Sequence, residues 1–185
     1  MANRKDDDLD FTGPYAAYKP PADVEPSPPS PEVERAAEEA ARALVEDGFH
    51  VLIARMSKGE RRARTVLLVE PDATVVAQVR HMLDLVGIAV LDAPDARSTS
   101  RLLSKSSPPG MFLLGIHLPG AMDGFGLLQH LRVHPKLSSI PVVLFTTPGS
   151  HAEIVRGITD GAAGYLVKHP PTKALVGIVR ALLGD

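Results

Sequence analysis

Five short apolar runs, each about one strand long, dominate the C-terminal part of this chain: TVLLVE (65–70), IAVLD (88–92), MFLLGI (111–116), PVVLFT (141–146) and YLV (165–167). Runs of this kind, without polar alternation, suit strands buried on both faces of a sheet. Helix-length stretches lie between and after them, at 73–86, 96–105, 124–133, 150–160 and 172–183. The first carries Val75, Val76, Val79, Met82, Leu83 and Val86 at helical spacing, and the last carries Leu175, Ile178, Val179 and Leu182. Strand and helix alternation predicts one three-layer α/β domain over 65–185 with a parallel sheet. In open sheets of this type functional side chains gather at the carboxyl ends of the strands.

The N-terminal third is built differently. Pro14, Pro20, Pro21, Pro26, Pro28 and Pro29 crowd residues 1–30 among charged and small residues. Such a segment buries too little apolar surface to offset its ordering entropy, so it is expected to be a disordered tail. Phe11, Tyr15 and Tyr18 within it are scattered tail residues or a short docking motif. PEVERAAEEAARALVEDG (31–48) reads as a helix, with Ser30 as cap, Pro31 at its first position and Gly48 at its exit. FHVLIARM (49–56) reads as a strand. A helix and one strand are not a stable domain, so 31–56 is expected to dock on the C-terminal domain or to join a homodimer interface, with a slight preference for the dimer. SKGERRAR (57–64) reads as a solvated basic linker. No aromatic residue interleaves its charges, which leaves little support for a nucleic-acid contact.

Composition narrows the function classes. The chain has no cysteine, which excludes disulfides, thiol catalysis and cysteinyl metal sites, and its formal net charge of -2 gives no general reason to expect nucleic acid. No apolar run approaches the roughly 20 residues that a membrane span needs. MANRKDDDLDF lacks the apolar segment of a signal peptide. A soluble cytoplasmic protein without membrane attachment is the resulting expectation.

VLLVEPDA, LPGAMDGFGLLQHLR, IPVVLFTT and GAAGYLVK occur in one order along residues 65–184. In that order and spacing they resemble the receiver domain of two-component response regulators. The resemblance implies a flavodoxin-like five-stranded parallel sheet of order 2-1-3-4-5 with helices on both faces. It also implies a site where two acids after the first strand hold a divalent cation and an aspartate after the third accepts a phosphoryl group. A hydroxyl residue after the fourth strand senses that group, and a lysine after the fifth pairs with it. Positive charge from the cation and the lysine offsets the charge gathered around the phosphoryl group.

Carried over to this chain, the resemblance places Glu70 at the first acidic position, Pro71 at the second and Gly115 at the phosphoacceptor. Thr146 matches the switch hydroxyl, Tyr165 the aromatic switch position and Lys168 the lysine; His169 stands where the family usually has proline. Glycine cannot accept phosphoryl, and the loss of one acid removes oxygen ligands that a hard cation requires. The chain therefore reads as a pseudo-receiver, with no catalytic residue, no cofactor and weak or absent Mg²⁺ binding. Asp72 stands one place beyond the missing acid, and Asp123 is expected to cap the helix beginning near Gly124. An ion pair between Glu70 and Lys168 is expected to fill the residual pocket, with small-anion binding there as the alternative. Thr146 and Thr147 are expected to satisfy loop backbone groups. His117 and His169 are read as polar loop residues, and His130 and His134 as surface residues.

These readings lead to a non-enzymatic signalling module that binds a regulatory protein without phosphoryl switching, through the surface carried by 150–160, 165–167 and 172–183. On the last helix Lys173 and Arg180 are the only charged residues, which suits a contact surface. A transcriptional or nucleic-acid-associated regulator is the alternative. It is weakened by the near-neutral charge and by the absence of a helix-turn-helix after the domain.

Overall fold

The computed structural model describes residues 30–36, 38–39, 50–52, 62–147 and 150–185. Except for Ser30, the expected tail 1–30 lies outside these residues, as do the later part of the 31–48 helix, much of the 49–56 strand and most of the linker. Helical residues 31–36 and 38–39 begin where the sequence places them, and Ser30 Oγ accepts from Val33 N at 3.4 Å.

The strands are β1 (His50–Leu52), β2 (Thr65–Val69), β3 (Ala89–Ala93), β4 (Met111–Leu114), β5 (Val142–Thr146) and β6 (Gly164–Val167). The helices of the C-terminal domain are α1 (Ala73–Asp84), α2 (Ala96–Leu103), α3 (Gly124–Val133), α4 (His151–Thr159) and α5 (Thr172–Leu183). The sheet order is β1-β6-β5-β4-β2-β3. From β3 to β6 all neighbours are parallel, giving the expected 2-1-3-4-5 order. The sixth strand is an addition: β1 runs antiparallel to β6, pairing His50 with Leu166, Val51 with Tyr165 and Leu52 with Gly164.

Alternate strand residues fill two cores, one on each face. Leu67, Val69, Phe112, Leu114, Leu144 and Tyr165 pack with side chains of α2, α3 and α4. Val66, Leu68, Met111, Leu113, Val143, Phe145 and Leu166 pack with α1 and α5. Both faces are covered, which is why the strands read as unbroken apolar runs. Each fully buried large aliphatic or aromatic side chain contributes about 1.5–3 kcal/mol relative to exposure.

Asp72, Asp95 and Asp123 cap α1, α2 and α3, and Ser150 forms a capping box with Glu153 on α4. Leu175, Ile178, Val179 and Leu182 line the buried face of α5. The last residues of the stretch expected to be a solvated linker are instead tied to the domain. Arg62 N donates to Leu183 O at 3.0 Å, and Arg64 Nη2 donates to Val86 O at 2.8 Å while its guanidinium pairs with Asp185. A Cβ on Gly110 would lie 2.0 Å from Ala63 O, so only glycine lets this segment pass so close to the start of β4.

Candidate functional site

The carboxyl ends of β2, β4, β5 and β6 bring Glu70, Gly115, Thr146 and Lys168 to one edge of the sheet. Val69 is in register with Leu114, and Gly115 N donates to Val69 O at 2.9 Å, so residues 70 and 115 leave adjacent strands side by side. Thr146 pairs with Val167, and Lys168 N donates to Thr146 O at 2.7 Å.

Glu70 and Lys168 meet directly across this edge. Lys168 Nζ donates to Glu70 Oε1 at 2.9 Å and lies 2.8 Å from Oε2. Oε2 thus has the charge attraction of the ammonium but no hydrogen bond among the described residues. The Glu70 side chain is 0% exposed and that of Lys168 19%, so the anion is the more deeply placed partner. Asp72 N adds a hydrogen bond to Glu70 Oε1 at 3.1 Å.

Gly115 fits this arrangement sterically. A Cβ there would stand 3.0 Å from Val69 O and 3.1 Å from Glu70 Oε2, so any larger residue presses on the carboxylate that Lys168 holds. Gly124, at the start of α3, is tighter still, since its Cβ would lie 2.1 Å from Gly115 O. That close approach is a feature the sequence reading missed; the glycine opening the GFG stretch is its trace in the sequence.

The neighbouring acids are turned to other work. Pro71 is exposed, and Asp72 Oδ1 accepts from Thr74 N at 2.8 Å and from Val75 N at 3.4 Å. The Thr74 amide above all, aided by that of Val75 and by the charge of Lys168, holds the Asp72 carboxyl below its ordinary range against a partial loss of hydration. Asp123 Oδ1 accepts from Gly126 N at 2.8 Å as the α3 cap. A hard divalent cation takes several oxygen ligands. Here one buried carboxylate is already held by a lysine and the two nearby aspartates are held by helix ends, so the donor set does not fit such a cation. Among the described residues no three His, Asp or Glu side chains form a metal-holding group.

Tyr165 lies in the core at 0% exposure, and its hydroxyl has no hydrogen-bond partner among the described residues. Burial, reinforced by the charge of Glu153, pushes the phenol up to about 12. Thr146 is buried and Thr147 exposed.

The histidines separate into different roles. His117 is exposed. His169 has φ 59, unusual for a residue with a side chain, and its Nδ1 lies 3.0 Å from Gln78 Oε1 on α1. His134, expected at the surface, is 5% exposed and its Nδ1 accepts from Lys136 N at 3.2 Å; it is the C-terminal cap residue of α3. His130 is half-buried, and that burial, with His134 nearby, draws its imidazole below the ordinary value. Arg132 was not singled out by sequence. Its guanidinium donates to the carbonyls of Gly161, Ser138 and Ile140, each at 2.9 Å, while burial lowers it to about 10.

A doubly covered parallel sheet with a lysine, a buried acid and a hydroxyl residue at its carboxyl edge defines the receiver class of signalling domain. Residues 66–180 match the response regulator receiver domain family, and the chain belongs to it. It is 31% identical over 123 residues to a probable transcriptional regulator, ycf27, of Galdieria sulphuraria, covering 66% of this chain and 46% of that protein. It is 32% identical over 121 residues to the phosphate regulon transcriptional regulatory protein PhoB of Escherichia coli K12, covering 65% and 52%. This chain thus spans about half the length of those relatives. The crystal structure of a putative response regulator from Chloroflexus aurantiacus superposes with TM-score 0.61 at 27% identity, over 68% of this chain and 100% of that one.

Proposed function

We propose that this protein is a signalling module that acts by binding a regulatory protein and does not switch by phosphoryl transfer. Gly115 is the observation that carries this reading. It follows β4 beside Glu70, at the position where the family resemblance implies an acceptor carboxylate. The Glu70–Lys168 pair supports it, because the lysine that would meet an incoming phosphoryl group already has an anionic partner. Weak or absent Mg²⁺ binding, no enzymatic activity and a cytoplasmic place of action belong to the same reading.

The binding surface we favour lies within 150–183, on α4, β6 and α5. The solvent side of α5 carries Lys173, Gly177, Arg180 and Ala181, two cations separated by small residues and no acid. A role in a transcriptional regulator is the second reading, favoured by the names of the relatives and by the share of them that this chain spans.

Intact-mass analysis after incubation with acetyl phosphate and Mg²⁺ tests the proposal. The expected result is an unmodified chain. An acyl phosphate mapped to Asp72 or Asp123 would overturn it.

A further inference from the structure

The outer edge of β6 is where the fold departs from a plain five-stranded sheet. β6 reads GYLV, with no charge and no proline, and Gly164, Tyr165 and Leu166 are buried. A bare edge strand of that composition presents unpaired N–H and C=O groups with none of the charged or proline residues that normally discourage strand pairing. Among the described residues β1 covers it over three positions, antiparallel, opposite Leu166, Tyr165 and Gly164.

The connectivity makes this cover a tethered one. Leu52 lies opposite Gly164, at the amino end of the parallel strands, and residues 62–64 are fastened at that same end to Leu183, Val86 and Gly87. Between β1 and β2 stand four strand spacings, about 19 Å, and the nine residues 53–61 span at most about 30 Å when extended. A covalent connection of that length can reach with about 11 Å to spare, and it raises the effective concentration of β1 at the β6 edge above that of a free peptide.

From this we infer that the outer edge of β6 is a strand-acceptor site, occupied at rest by the chain's own β1, and that the partner it fits is an extended, uncharged apolar peptide strand docking antiparallel. The inference deepens the reading of a protein-binding module, since β6 lies within the surface assigned to the partner. A longer strand with more ladder bonds outcompetes β1 by displacing it, as in other cases of strand addition to a sheet edge.

The test uses the full chain with the resident strand released. Val51→Pro removes an N–H and fixes the backbone within β1; His50→Pro is the second variant. The probe is a fluorescent synthetic peptide of residues 48–54, GFHVLIA, with blocked ends, followed by anisotropy, with amide exchange confirming that 65–185 remains folded. The released variants are expected to bind the peptide at least ten-fold more tightly than the parent chain, and a peptide carrying Val51→Pro is expected not to bind. Equal binding by parent and variants, or no binding by folded variants, overturns the inference. A variant that dimerises and excludes the peptide also overturns it, because the occupant is then a second copy. In the parent chain alone, β6 amides are expected to exchange sooner than those of β5; equal protection counts against a displaceable β1. Failure here leaves the acetyl phosphate result untouched, and a phosphorylated chain leaves peptide binding untouched, so the two readings fail separately.

Discussion

Glu70 and Lys168 share a hydrogen bond but sit in unequal surroundings, and the inequality sets what each substitution costs. With Lys168 removed, a carboxylate with no exposed side-chain surface is left without its cation. With Glu70 made neutral, the ammonium keeps 19% of its side chain exposed and can turn toward water. Lys168→Met is therefore expected to cost roughly 3–5 kcal/mol, and Glu70→Gln clearly less. Urea unfolding of both single variants and the double variant measures the costs and the coupling. Tyr165 gives a second prediction. Its folded-state value of about 12 stands above the ordinary 10.0, so the neutral phenol is favoured in the fold. Stability from this group is complete below pH 10 and declines as pH rises toward about 12, by roughly 2–3 kcal/mol in all. Tyr165→Phe lacks that decline, so the stability difference between parent and variant should shift in favour of the variant across this window. Near neutral pH the same variant should be as stable as the parent or about 1 kcal/mol more stable, since the hydroxyl is buried without a partner among the described residues.

Two helices of the same sheet offer a sign test at the scale of the element. Gly177 lies on the exposed face of α5, and a Cβ there meets nothing within 4 Å. Gly157 lies in α4, and a Cβ there would stand 2.2 Å from Leu144 Cδ1, which is fully buried on β5. Glycine inside a helix costs backbone entropy relative to alanine, so Gly177→Ala should stabilise by about 0.5–1 kcal/mol. At Gly157 the same gain is outweighed by overpacking, and Gly157→Ala should destabilise by about 1–3 kcal/mol. Thermal midpoints of the two variants check the opposite signs.

In the molecule as a whole, both cores are built on the same strands: β2, β4, β5 and β6 send alternate side chains to each face. Neither core can be lost while the other keeps its sheet, so 65–185 is expected to unfold in one cooperative transition. The chain has no tryptophan, and Tyr165 is the tyrosine within this domain. Tyrosine fluorescence and far-ultraviolet circular dichroism should therefore report the same urea midpoint. Two separated midpoints would show that one face can come apart by itself.

The sequence by itself determined the parallel five-stranded domain, because strands buried on both faces must be apolar throughout and their helices must repeat every three to four residues. It also determined that positions 71 and 115 carry no carboxylate, since proline and glycine have none in any packing. Tertiary structure decided what the remaining groups do. The meeting of Glu70 with Lys168, the burial of Tyr165 and His134, the Gly161 carbonyl held by Arg132 and the pairing of β1 with β6 all depend on residues that the sheet brings together. Local pattern reports which face of an element is apolar; it carries no record of which distant backbone or charge will meet that element when the sheet closes.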